Sequence, residues 1–205
     1  MLVLAGVLGA GGAFAQSPLT PEPTPDREVA VPEAPAALDT QPASPPDEAT
    51  ARAAQLDALF SELAKPENPN WERVQAQIWA AWSQSGSVSM DFLLYRATQA
   101  MEAEQLDIAL LHLNNLVRLA PDFPEAWNKR ATVYFLQRDY GASMADIERV
   151  LSLEPRHFGA LSGMGIILDR LGDEPGAYRA YRRVLELHPN FPAAQQAVDR
   201  LAPEL

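Results

Sequence analysis

From residue 51 onward the apolar positions recur at the three-to-four-residue spacing of a helix face, whereas the residues before it show no period. Leu56, Leu59, Phe60 and Leu63 make one stripe, halted by Lys65-Pro66-Glu67-Asn68-Pro69. A second stripe opens after Asn70 with Trp71, Val74, Ile78 and Trp82. It runs out in Ser83-Gln84-Ser85-Gly86-Ser87, where Gly86 supplies a helix stop. Two helices joined by a short proline-containing loop predict an antiparallel hairpin over 51–89.

Beyond the hairpin the pattern repeats. Leu119-Ala120-Pro121, Leu153-Glu154-Pro155 and Leu187-His188-Pro189 place proline at 121, 155 and 189, an interval of 34 residues each time. Laid in register, 90–123, 124–157 and 158–191 agree at further positions. Position 4 reads Leu93, Trp127, Leu161, and position 8 reads Ala97, Ala131, Gly165. Position 11 reads Ala100, Tyr134, Leu168, and position 20 reads Ala109, Ser143, Ala177. Position 24 reads Leu113, Ile147, Tyr181, and position 27 reads Leu116, Val150, Val184. Pro192 to Leu201, with Ala194, Val198 and Leu201 on one face, reads as a helix that caps the last repeat, because a repeat array must cover its terminal stacking face.

The small residues at positions 8 and 20 and the proline at position 32 resemble the tetratricopeptide repeat (TPR) family. The resemblance covers half the chain and implies an all-α solenoid of antiparallel helix pairs. It also explains the pattern. Helices A and B of one repeat approach most closely at positions 8 and 20, where only Gly, Ala or Ser fits. Proline at 32 ends helix B because the residue before it is driven from helical angles. Trp79 and Trp82 fall in phase with positions 24 and 27, so 51–89 is expected to serve as a degenerate N-terminal repeat, without the full set of signature residues. The run Ile78-Trp79-Ala80-Ala81-Trp82, with Gly86 and then Met90-Asp91, is similar to small exported TPR proteins of alphaproteobacteria associated with cell-envelope integrity.

Composition changes the picture at the N-terminus. Met1 to Ala15 is uncharged and apolar and ends Ala13-Phe14-Ala15, which predicts a secretory signal peptide cleaved after Ala15. No Lys or Arg precedes the apolar stretch, so the true start is expected a few residues upstream; an apolar tail on a cytoplasmic protein is the competing reading. Residues 16–50 carry nine prolines and seven acidic residues against the single Arg27, a composition that predicts a disordered linker. The expected order is therefore leader, linker, hairpin, TPR 1 at 90–123, TPR 2 at 124–157, TPR 3 at 158–191, and a capping helix and tail at 192–205. The destination is the periplasm, with no membrane span left after cleavage.

The net charge of −11 argues against nucleic acid and anionic membranes, which require clustered cations. Without cysteine there is no disulfide framework, thiolate metal site or cysteine nucleophile. No phosphate-binding loop or hydrolase motif is present, and acidic pairs such as Glu102/Glu104 and Asp173/Glu174 fall near turns where solvated charge is ordinary. His112 reads as a partly exposed helix residue. His157 and His188 fall in inter-repeat turns that stack along one edge, and the choice there lies between solvated side chains and a metal pair. No cofactor is expected.

What remains is a surface. In TPR proteins positions 2, 5, 9, 12 and 13 of helix A line the concave face. The resemblance places there Asp91, Leu94, Thr98, Met101 and Glu102, then Glu125, Asn128, Thr132, Phe135 and Leu136, then Gly159, Ser162, Ile166, Asp169 and Arg170. The expected groove comprises Leu94, Thr98, Met101, Asn128, Thr132, Phe135, Ser162, Ile166 and Asp169, with an apolar floor suited to a protein or peptide segment. Leu94 and Thr98 stand where chaperone-binding members hold a peptide carboxylate with Lys and Asn, so that partner class is not expected. The function implied is a non-catalytic adaptor in envelope maintenance. The alternative is an accessory subunit of a periplasmic enzyme or assembly complex handling peptidoglycan or cytochrome maturation.

Overall fold

The computed structural model describes residues 46–202, and the expected leader and most of the linker lie outside them. Among the described residues there are only helices and turns: α1 (Pro46–Leu63), α2 (Trp71–Trp82), α3 (Val88–Glu102), α4 (Leu106–Leu119), α5 (Pro124–Leu136), α6 (Tyr140–Leu153), α7 (Phe158–Arg170), α8 (Glu174–Leu187) and α9 (Pro192–Leu201). α1 begins at Pro46, inside the stretch expected as linker; proline at a first helical position loses no hydrogen bond and is pre-set for helix. No helix is long and apolar enough to cross a membrane among the described residues.

Helices α3 to α8 form three antiparallel pairs, each packed on the next, and α9 packs on α8. The pairing rests on the small residues the register singles out. Ala97, Ala131, Gly165, Ala109, Ser143 and Ala177 are all buried. In the second repeat positions 8 and 20 touch through a hydrogen bond, Ser143 Oγ donating to Ala131 O at 2.8 Å. Each pair turns through position 15 in the left-handed region: Glu104 at φ 57°, Arg138 at φ 63° and Gly172 at φ 81°. In each turn the following residue donates back to position 11: Gln105 N to Ala100 O, Asp139 N to Tyr134 O and Asp173 N to Leu168 O. Only the third repeat uses glycine there, so the first two hold a conformation costing about 1 kcal/mol each. Asp139 and Asp173 then cap α6 and α8 with their side chains.

The hairpin does not extend the stack at its N-terminal end. Phe60, Leu63, Val74, Ile78 and Trp82 share one core with Phe158, Leu161, Tyr181 and Val184 of the third repeat and with Ala194, Val198 and Leu201 of α9. The stripes of α1 and α2 are therefore satisfied by the far end of the solenoid. Polar ties follow the same path. Arg156 donates to Asp57 Oδ1 at 2.6 Å and Asn190 to Lys65 O at 3.1 Å, while Arg52 closes the hairpin itself on Gln84 O at 3.3 Å. Burying five large apolar side chains stabilises the dock by roughly 10 kcal/mol gross, at about 1.5–3 kcal/mol each. The hairpin is a fixed part of the fold.

Candidate functional site

Two histidines lie at the junction between hairpin and solenoid, and both are fully buried rather than solvated. His157 occupies position 34, which is Phe123 and Phe191 in the other repeats, so an aromatic ring fills the same seat each time. Its Nδ1 accepts from Ala160 N at 3.1 Å and caps α7, which leaves the proton on Nε2 to be donated to Glu125 Oε2 at 3.3 Å. Trp82 stacks on the imidazole with centroids 4.1 Å apart, and Trp79 meets it edge-on at 5.4 Å. His188 lies 5.2 Å from the Trp71 ring, and its Nε2 is 2.9 Å from Gln75 Oε1. Burial lowers its pKa from 6.5 to about 4, so it is neutral at neutral pH. The two histidines hold different partners, and no group of three or more potential metal ligands is present among the described residues.

Glu125, expected on the concave surface, is buried with His157. Asn128 Nδ2 donates to its Oε2 at 3.0 Å, and the Lys129 ammonium lies 3.5 Å from its Oε1. A carboxylate this deep is tolerable only with such partners. The cluster stiffens one wall of a cavity of about 500 Å³.

That cavity crosses the concave side of the second and third repeats. Its floor is Phe135, Ile166, Ile167 and Ile147, with Ala131, Ala160 and Gly163 making the space between them, and Trp79 and Phe191 stand at its edge. Of the expected groove residues, Asn128, Thr132, Phe135, Ser162 and Ile166 line it. The other four do not. Leu94 is only 5% exposed and belongs to the core of the first repeat, because position 5 there meets Leu113 and its neighbours rather than solvent. Thr98 returns its hydroxyl to Leu94 O at 3.0 Å, and Met101 packs against the first-repeat core. Asp169 is taken up by Arg200 of the capping helix at 2.6 Å. The groove is thus shorter than expected and centred on the last two repeats.

Trp79, Lys129 and Phe191 were not among the expected lining residues. Trp79 is brought in by the docked hairpin, and Gly159 shows how tightly: a Cβ there would lie 2.4 Å from Trp79 Cη2. Most polar groups of the groove are already bonded within it, Thr132 to Asn128 O and Ser143 to Ala131 O. What it offers an occupant is apolar contact and shape, with the Arg170 guanidinium 4.9 Å over the Phe135 ring and the Lys129 ammonium on the wall. Ile166 and Leu136 remain exposed there.

No protein-family model matches the chain. A TPR repeat-containing protein of Rhizobium etli is 40% identical over 152 residues, covering 74% of this chain and 74% of the relative. Among solved structures, the Sgt2 TPR domain from Aspergillus fumigatus has a TM-score of 0.54 at 21% identity, covering 58% of this chain and 80% of that one. The first TPR of Spaghetti, bound to an HSP90 peptide, has a TM-score of 0.54 at 22% identity, covering 56% and 91%. MamA has a TM-score of 0.54 at 18% identity, covering 68% and 86%. These structures share the fold; the Rhizobium etli relative shares the sequence. By its unbroken 34-residue register, its three stacked helix pairs and that relative, the chain belongs to the tetratricopeptide-repeat family.

Proposed function

We propose that the protein is a non-catalytic adaptor that holds an apolar segment of another protein in the groove between Trp79 and Phe135. The observation that carries this is the cavity of about 500 Å³, whose floor includes Phe135 and an exposed Ile166. Apolar side chains left open to water are stabilised by an occupant at about 25 cal/mol per Å² covered. A structurally similar domain was solved with a peptide bound, which shows that this helix-pair architecture can present a peptide site. Export to the periplasm through the leader at 1–15 and a role in envelope maintenance are part of the same proposal. They are supported by the small-residue end of that leader and by the resemblance carried on Ile78-Trp79-Ala80-Ala81-Trp82.

Photo-crosslinking in intact cells from position 135 tests the reading. The expected result is one captured envelope protein whose adduct disappears when Ile166 or Asn128 is replaced. An absence of adducts, or adducts only with residues 16–50 of the same chain, would overturn the groove as a partner site. Fractionation with and without residues 1–15 tests the location: the intact chain should be released with the periplasmic contents, and retention in the cytoplasm would refute export.

A further inference from the structure

Because the hairpin docks at the far end of the solenoid, the first repeat keeps an outer face that nothing among the described residues covers. Val88, Phe92 and Tyr95 lie at i, i+4 and i+7 along α3 and are 85%, 59% and 57% exposed. The Phe92 and Tyr95 rings sit together, centroids 6.5 Å apart. Ile108 and Leu111 of α4 and Leu119 at its end are exposed as well, so six of the nine large exposed hydrophobic residues among those described lie in 88–119. Isolated exposed apolar residues are ordinary; this concentration on one repeat is a patch.

The repeat register shows that this face is built differently from an internal junction. Phe92 is at position 3, where the second and third repeats have Ala126 and Ala160, both buried. Gln99 is at position 10, where they have the buried Val133 and Ile167. A further helix pair could not seat on Phe92 as α3–α4 seats on Ala126. The opposite end of the stack is closed, since α9 turns Gln195, Gln196, Asp199 and Arg200 outward. A head-to-tail contact would therefore set the aromatic face against charges, whereas a two-fold contact sets it against itself.

The charge pattern favours the two-fold contact. This chain covers its half-buried surface aromatics with arginine: Arg130 lies 4.8 Å from the Trp127 ring, Arg170 4.9 Å from Phe135 and Arg182 5.9 Å from Tyr178. Phe92 and Tyr95 have no arginine over them, and Arg96, beside them on α3 and exposed, has no ring beneath it, among the described residues. A symmetric pair would bring each Arg96 toward the Tyr95 and Phe92 rings of the other copy and so supply the same kind of contact twice. Tyr, Phe and Arg are also the residues that mark interface centres.

We propose that two copies of this chain associate through the α3 face carrying Val88, Phe92, Tyr95 and Arg96, so that the assembly presents two grooves. Two grooves on one particle bind a partner with repeated or clustered segments far more tightly than one groove does.

Sedimentation of the full chain over roughly a hundredfold range of concentration tests this. A mass of two chains at the upper end, falling to one on dilution, is expected. Phe92→Asp and Arg96→Glu should each weaken association by at least about tenfold, with the melting temperature of the monomer unchanged because both side chains are exposed. The chain has no cysteine, so Gln99→Cys provides a site-specific check: it should yield a disulfide-linked pair on oxidation, and Leu136→Cys in the groove should not. A chain that stays single at every concentration overturns the proposal, whether residues 16–45 or another protein covers the face instead. A pair that survives Phe92→Asp overturns it also, by placing the interface elsewhere.

Discussion

The docking of the hairpin on the third repeat makes the effect of one substitution change sign with the residue at another, distant in sequence. Gly159 is the second residue of α7, and its φ is compatible with any side chain. Judged by helix propensity alone, Gly159→Ala stabilises by up to about 1 kcal/mol. In the folded chain the added Cβ would lie 2.4 Å from Trp79 Cη2 and 2.9 Å from Cζ2. That ring cannot swing away cheaply, since Trp82, His157 and Phe158 each meet it edge-on within 5.4 Å. Overpacking of this kind costs about 1–3 kcal/mol. Gly159→Ala should thus be neutral to destabilising by about 2 kcal/mol in the wild-type chain, yet stabilising by up to about 1 kcal/mol once Trp79→Ala has removed the ring. The coupling energy is the overpacking itself, roughly 1–3 kcal/mol, as a double-mutant cycle reports it. Urea unfolding followed by far-ultraviolet circular dichroism on the four proteins measures it. Equal shifts of the midpoint in both backgrounds would refute the docked position of α2.

The remaining expectations concern the tight helix contact, the groove and acid. Ala177→Leu, at a fully buried position 20, should cost about 1–3 kcal/mol by overpacking; an unchanged melting temperature would mean that the helices do not meet there. Phe135→Glu should abolish capture of the partner while lowering stability by about 1–2 kcal/mol, since Phe135 is only partly buried where it packs on the core around Ile147 and Ile167; a loss of several kcal/mol would make it a core residue. His188 is held neutral by burial, with its pKa lowered to about 4, so the unfolded chain binds the proton first as pH falls. Stability present above about pH 6.5 should be lost progressively toward pH 4, by roughly 3 kcal/mol from this group. Urea midpoints measured at several pH values should show it as a slope that His188→Gln flattens between pH 6.5 and 5, and an unflattened slope would refute the assignment.

The repeats were legible because each copy states its own geometry and two others check it. Small residues at positions 8 and 20 name the close contacts, and proline at 32 names the helix end. The A–B turn was less legible, since Glu104 and Arg138 adopt a left-handed conformation that only Gly172 advertises. Of the expected groove residues, those of the second repeat and Ser162 and Ile166 of the third line the cavity, whereas Asp169 and the three of the first repeat do not. Position 5 is a groove position only when the helix below it is already satisfied. In the first repeat Leu94 turns inward with Leu113 and Leu116 instead.

The place of the hairpin is the instructive failure. An apolar stripe says that a face must be buried and leaves open what buries it, and contiguity in sequence points to the nearest neighbour, the first repeat. Yet the first repeat offers Phe92 and Gln99 where a stacking partner needs small and apolar residues. The third repeat offers Phe158 and Phe191, and the cap offers Ala194, Val198 and Leu201. A signal for this lay in the register: position 34 reads Phe123, His157, Phe191, so the histidine stands in a seat that is otherwise apolar and aromatic. A turn histidine looks solvated only while nothing is known to cover the turn. Once that seat is taken as buried, His157 needs a lid, and of the three tryptophans that stand outside the repeats, Trp71, Trp79 and Trp82, the last two supply it. The same step that lids the histidine walls the groove with Trp79 and strips the first repeat of its cover. The site for a partner segment and the open α3 face therefore follow from one packing choice, made where the sequence pattern gave no direct instruction.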